Sequence, residues 1–231
     1  MLAKKERKFN MKKVGIIGAS GMAGSAIYKL AEKNPNIDVV GIVRHEKKAR
    51  EVLGKDANLI VGDIFDMPDS MLEHFDVIID AFNTTPENAE EHTKLAKKLM
   101  TLAQRNDIRV IFILEAGSLH TGEDKHLVVD DIKKMPGSER WANTPIQQLH
   151  ELEYIHQVDE EDKNEDADWL GISPSMDFVD GPATDYITGK DELLYNDKGE
   201  SKLNSGTMAK FLIKEILDPV HYRERITIAN E

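Results

Sequence analysis

Three glycines narrow the folds open to this chain more than any other residues: Gly18, Gly21 and Gly24 follow the apolar run VGII (14–17) and open an amphipathic stretch over 23–33. A strand, a tight turn and a helix satisfy that order. Gly18 permits the turn, Gly21 lets the backbone come close to a bound group, and Gly24 lets the helix pack near the strand. Ser20, Met22 and Ala23 complete a loop at which the helix start aims free N–H groups and the positive end of its dipole, a place where a diphosphate is stabilised. Glycines also cluster in turns that hold nothing, so the strand–loop–helix context carries the reading rather than the string. The spacing is not GxxxxGK[ST], which disfavours a P-loop.

Short β-branched runs recur behind this opening, separated by longer amphipathic stretches. VGII, VVGIV (39–43), NLIV (58–61), DVIID (76–80) and RVIFIL (109–114) read as five buried strands. WLGIS (169–173) reads as a sixth, and RITIA (225–229) as a final strand at the edge. Helices are expected over 23–33, over Pro86–Arg105 with Ala89, His92, Ala96, Leu99 and Ala103 at helical spacing, over about Pro145–Val158, and over 207–217. Strands alternating with helices predict an α/β class: a doubly wound, mainly parallel Rossmann-type sheet flanked by helices. The run DEEDKNEDAD (159–168) reads as a solvated loop, because uncompensated like charges repel. The segment 120–145 has no clear period and is expected to cap a pocket.

The bulk composition limits partners. Asp and Glu number 42 against 30 Lys and Arg, giving a net charge of −12 that repels nucleic-acid backbones. Aromatic residues make up 6% and are scattered, which does not suit a base-stacking surface. Cysteine is absent, excluding disulfides and thiol catalysis and agreeing with a reducing cytoplasm. No apolar run approaches the about 20 residues that span a bilayer, and MLAKKERKFN lacks the apolar stretch of a secretory signal. The eight histidines show no paired metal spacing, so no metal site is expected; His120, His126, His150 and His156 are expected on the surface. Residues 1–10 are expected to be a disordered extension, and 11–231 one domain with a small lobe at about 174–207.

Cofactor preference is legible at the end of the second strand. An acidic residue about 20 positions past the glycines would hold the ribose 2′-OH of NAD. Arg44 stands there instead, followed by His45, Lys47 and Lys48. A guanidinium can hold the 2′-phosphate of NADP and stack on adenine, so NADP(H) is favoured with NAD(H) as second choice; Arg44 opening an exposed helix is the plainer alternative. Asp63 with Ile64 suits a carboxylate on the adenine amine beside an apolar neighbour, and equally a strand-to-turn junction. Ala81, Phe82 and Asn83, after the fourth strand, would lie under the ribose and diphosphate.

With GASGMAG, the VR pair at 43–44, GDIFD (62–66), EAGSL (115–119), DWLGISPS (168–175) and the stretch from LLYNDKGES onward, the chain resembles the atypical short-chain dehydrogenase/reductases from Lys12 on. It is most similar to the branch named for NADH-flavin reductases, related to NmrA-like proteins. The resemblance implies bound NADP(H), hydride transfer to a flavin or a similar planar, quinone-like acceptor, and a small C-terminal substrate lobe; a homodimer is compatible with it. Ala116 and Pro174 would touch the cofactor. Ser118 would stand near the nicotinamide as the catalytic candidate, though a serine past a strand is also an ordinary turn residue. Leu119, Ser175 and Tyr186 would border the substrate.

One departure from ordinary short-chain dehydrogenases has a mechanistic consequence. The helix at Pro145–Val158 carries Tyr154 with Val158 four residues on, so the usual Tyr-x-x-x-Lys pair is missing. Tyr186 and Lys190 match the string in a Gly-containing segment where helical alignment is not expected. Alcohol oxidation needs a base, whereas flavin reduction needs mainly orientation, with the proton available from water. The resemblance leaves a second reading, a non-catalytic NmrA-like sensor of the NADP(H) pool; the missing pair weighs against a third, an epimerase.

Overall fold

The computed structural model describes residues 11–163 and 166–231. Residues 1–10, read above as an extension, and 164–165, inside the acidic run, lie outside the described residues. The chain opens with β1 (Lys12–Ile17), α1 (Met22–Ala31), β2 (Ile37–Val43), α2 (Glu46–Leu53), β3 (Leu59–Val61), β4 (Val77–Asp80), α3 (Glu91–Arg105) and β5 (Arg109–Ile113). A hairpin of β6 (His120–Thr121) and β7 (His126–Leu127) leads to α4 (Val128–Ile132) and α5 (Asn143–Glu161). There follow β8 (Trp169–Pro174), β9 (Asp177–Val179), β10 (Tyr186–Gly189), β11 (Lys202–Asn204), α6 (Ser205–Leu217) and β12 (Glu224–Asn230).

Eight strands form one sheet in the order β3-β2-β1-β4-β5-β8-β12-β10, parallel throughout except that β10 runs antiparallel to β12. Successive side chains on a strand point to opposite faces, and the sequence obeys this on both sides of the sheet. Val14 and Ile16 of β1, Val77 and Ile79 of β4, and Ile111 of β5 join one core with α1, α2 and α6. Ile17, Ile78, Val110 and Phe112 join the other with α3 and α5. Both faces are apolar, so the inner strands read as continuous hydrophobic runs, as the Rossmann-type expectation requires.

Four expectations need correction. RITIA is not an edge strand: β12 lies between β8 and β10, and residues 225–230 are buried. The outer strand YITG is four residues long and ends in glycine, too brief to announce itself. At the opposite edge β3 has a single neighbour and is only half-buried, so NLIV is not a core strand. Pro86 opens a separate 3-10 turn (Pro86–Asn88) before α3 rather than the helix itself.

The acidic run is the fourth. Helix α5 continues through Glu161, and Asp159 accepts the Trp169 indole N–H at 2.7 Å and pairs with Arg223 at 2.9 Å. Asp162 accepts the Ala167 amide at 2.9 Å, and Asp168 faces Arg109 at 3.6 Å. Cations from distant parts of the chain compensate charges that look unopposed locally.

The topological reversal lies at β1: β2 and β3 lie to one side, β4 and β5 to the other. A crevice forms beyond the carboxyl ends of the strands at such a switch point, and the glycine loop stands there.

Candidate dinucleotide site

Gly18 ends β1 with φ +72°, and a Cβ built there would stand 2.3 Å from the Ala81 carbonyl oxygen. A Cβ on Gly24 would stand 2.4 Å from the Gly18 oxygen. These approaches, which glycine alone allows, bring the loop down between β1 and β4 and α1 against its own strand. Gly21 caps α1, its amide donating to Gly18 O at 2.9 Å. The first turn of α1 has no side-chain cap and no acidic residue. The amides of Met22, Ala23 and Gly24, first in the helix, lack intrahelical acceptors.

Three adjoining cavities make one crevice. The first, about 240 Å³, is walled by Gly18, Ser20 and Gly21, by Arg44 and Lys48, and by Gly62, Ile64, Ala81, Phe82 and Asn83. The second, about 280 Å³, shares Gly21, Ala81, Phe82 and Asn83 with it and adds Met22, Ala23, His92, Ile113, Leu114, Glu115, Gln148, Met176 and Phe178. The third, about 270 Å³, shares Glu115 and Met176 with the second and adds Ala116, Ile132, Trp141 and Pro145. Part of the segment 120–145 thus borders the crevice; Val128 and Ile132 hold it through a satellite core with Leu119 and Ala142.

Not every sequence candidate reaches these walls. Asp63 closes the turn after β3, its Oδ1 accepting the Phe65 amide at 3.0 Å, while its neighbours Gly62 and Ile64 face the first cavity. Gly24 is buried beneath the loop. The Ser118 hydroxyl donates to Glu115 O at 3.5 Å and accepts from Arg225 at 3.4 Å; Arg225 also holds Asp191 at 2.8 Å. Ser118 therefore fixes the turn that carries Glu115, and it is not in the walls. Leu119 is in the satellite core. Pro174 is buried at the end of β8, paired with Ile228, and Ser175 donates to Ile228 O at 2.9 Å. Tyr186 packs edge-on against Phe211 of α6, 5.6 Å between centroids. Being on a strand, it is not in helical register with Lys190, which pairs with Glu224.

His92 of α3 lines the second cavity, and Asp80 at the end of β4 and Glu151 of α5 are buried behind that wall. They are 3%, 4% and 2% exposed, and no sequence motif marks them. Asp80 Oδ1 accepts the Phe82 amide at 2.9 Å, and its Oδ2 has no partner among the described residues. Burial pushes the Asp80 carboxyl up to about 7, opposed by that amide. Burial and then the charge of Asp80 hold Glu151 well above the carboxylate range. Gln148 donates to Glu151 Oε2 at 3.2 Å. Burial takes His92 down to about 4, and its Nε2 has no partner among the described residues. Glu115 is in the wall of this cavity and of the third, and desolvation there raises its carboxyl. The one sequence signal was His92 itself, an imidazole on the apolar spacing of its helix.

Elsewhere, His126 bridges Asp124 at 2.6 Å and Asp131 at 2.7 Å, and these two carboxylates raise its pKa. Among the described residues, no group of three or more His, Asp or Glu side chains is gathered for a metal ion, and no helix is long and apolar enough to cross a membrane.

A parallel sheet with its glycine loop, uncapped helix start and crevice at the switch point defines a Rossmann-type dinucleotide-binding protein. The NAD(P)H-binding family model matches residues 18–219, and the chain belongs to that family. The chain is 30% identical over 222 residues to the uncharacterized protein YwnB of Bacillus subtilis, spanning 95% of this chain and 99% of that one. A crystal structure of a Lactobacillus casei protein superposes with TM-score 0.84 at 30% identity, covering 94% of this chain and 99% of that one. The crystal structure of a "putative NADH-flavin reductase" from Streptococcus pneumoniae gives 0.81 at 28% identity, covering 95% and 100%. These findings agree with the atypical short-chain dehydrogenase/reductase resemblance drawn from GASGMAG and EAGSL.

Proposed function

We propose that this chain is an NADPH-dependent reductase of a flavin or another planar, quinone-like acceptor. The observation that carries the reading is the continuity of the crevice, with a phosphate-holding end and an end walled by both aromatic and polar side chains that meet at Phe82 and Asn83. The residues present fit the cofactor: the loop is a cradle that a Cβ at Gly18 or Gly24 would fill, and the helix amides above it are uncapped. Backbone from Gly18 to Gly24, with Ser20, Met22 and Ala23, holds the diphosphate. Arg44, joined by Lys48 in the same wall, takes the 2′-phosphate. Ile64 lies beside adenine with Asp63 behind it, Ala81, Phe82 and Asn83 support the ribose, and Ala116 borders the far end, with Pro174 buried behind it. NADPH supplies a hydride there.

This chain's residues then act by positioning. Phe82, Met176 and Phe178 give the second cavity an apolar side against which a flat ring aligns. No Lys or Arg stands among its wall residues, so a neutral ring is favoured over a carboxylate. The protein acts as one NAD(P)-binding unit from residue 11, with 174–207 as its substrate lobe. Calorimetry with NADPH and NADH, then NADPH consumption with FMN, FAD or 1,4-naphthoquinone, tests the reading. NADPH uptake and acceptor-dependent turnover are expected; tight binding with no turnover above background would move the chain to the sensor reading. That second reading is supported by Tyr154 and Val158 standing where a Tyr-x-x-x-Lys pair would be.

A further inference from the structure

A histidine that merely filled the core would have its ring nitrogens satisfied, because a buried polar atom without a partner costs stability. His92 does not fit that description. Its ring packs edge-on against Phe82 at 5.3 Å between centroids, Nδ1 lies 3.8 Å from Glu151 Oε2, one short approach from a hydrogen bond, and the buried Nε2 has no partner among the described residues although the ring belongs to the wall of the second cavity. Behind it Glu151 is oriented by Gln148, which donates at 3.2 Å to Oε2 and at 3.4 Å to the Ile113 carbonyl. Ionisable groups face Glu151 from two packed elements, His92 on α3 and Asp80 on β4. Neither supplies a fixed positive charge to hold Glu151 as a carboxylate.

We propose that His92 and Glu151 form a proton relay into the acceptor end of the crevice, with His92 as a catalytic acid and Glu151 as the residue that recharges it. The proposal rests on the reductase reading and assigns to residues of this chain the proton that water would otherwise supply. An acceptor that gains two electrons and one hydrogen as hydride still needs one proton on its oxygen or ring nitrogen. The His92 Nε2–H bond breaks as the new O–H or N–H bond forms. Nδ1 takes the proton of the Glu151 carboxyl, leaving imidazole neutral and Glu151 as a carboxylate. Solvent returns that proton after the product departs, so no second reductant is needed. Burial supports both requirements: it lowers the imidazole to about 4, favouring the uncharged ring, and raises the carboxyl, favouring its protonated form. The substrate class follows: neutral conjugated rings whose reduced form begins as an anion, quinones and flavin rings among them.

The test uses the whole chain with His92→Gln and Glu151→Gln, read first by NADPH calorimetry and then by turnover of 1,4-naphthoquinone. NADPH affinity within about twofold of wild type shows that the crevice is intact. His92→Gln keeps a donor but cannot relay, and its kcat should fall by about 100-fold or more with KM nearly unchanged. Wild-type kcat should decline as pH rises through the Glu151 titration, because the protonated carboxyl is the working form. Glu151→Gln should be slower and lose that limb. In the wild-type protein, ¹⁵N imidazole NMR should show His92 neutral from pH 5 to 8 with its proton on Nε2, a readout independent of activity. Equal kcat and an equal pH profile in both variants, or a proton on Nδ1, overturns the relay while leaving the reductase reading intact. If wild type binds NADPH and reduces no acceptor, the reductase reading fails and the relay with it.

Discussion

Single atoms decide whether the cofactor end of the crevice exists. The Gly18 oxygen lies where a Gly24 methyl would stand, at 2.4 Å, and backbone rather than a flexible side chain would have to move. Gly24→Ala should therefore cost on the order of 1–3 kcal/mol, read as a lower denaturant midpoint, and should abolish the thermal shift produced by NADPH. Arg44 is exposed at the end of β2 and in the wall of the first cavity. Arg44→Ala should weaken NADPH about tenfold or more and leave NADH nearly unchanged by calorimetry; equal losses remove Arg44 from the 2′-phosphate. Asp80 has a linkage consequence. Its folded pKa is raised to about 7, so its contribution is present at low pH and is lost as pH rises through that value. Asp80→Asn keeps an oxygen for the Phe82 amide and should gain about 1–3 kcal/mol relative to wild type between pH 5 and 8, measured by denaturant titration. His92, with its pKa lowered, runs the opposite way below neutrality, which is why the difference between variants is the proper readout.

Elements were legible wherever their cause is local. The glycine loop is determined by residues within seven positions, and the apolar runs of β1, β2, β4 and β5 announce themselves because both sheet faces are covered. Position in the sheet was not legible: β12 has a covered flank only because β10, about 40 residues earlier, returns antiparallel beside it. The acidic run misled for the same reason. Nothing near Asp159 reveals that Arg223 and the Trp169 indole converge on it from β8 and the approach to β12. Asp159→Ala should therefore cost about 1–3 kcal/mol, whereas Glu160→Ala on the exposed face should stay within about 0.5 kcal/mol, both by chemical denaturation.

Across the whole molecule the same division separates the two ends of the crevice. The nucleotide end comes from the first half of a Rossmann-type sheet in sequence order, so its walls could be named from the chain. The end proposed for the acceptor collects His92 from α3, Glu115 after β5, Gln148 from α5 and Phe178 from β9, and only packing reveals that they meet. Ser118 illustrates the limit. Its place after β5 was foreseeable, but its attachment to Arg225, 107 residues on, was not. The net charge of −12 adds a molecular-scale expectation. Added salt screens the attraction between exposed Arg44 and a 2′-phosphate, so NADPH affinity should fall more steeply with ionic strength than NADH affinity by calorimetry.

Phe82 and Asn83 belong to two compartments at once. A nucleotide seated against one side of that partition completes the other, so a ring arriving later meets a finished chamber and one arriving earlier meets an open gap. On the reductase reading, such a shared wall predicts a sequence of arrivals and departures: the dinucleotide enters first and leaves last.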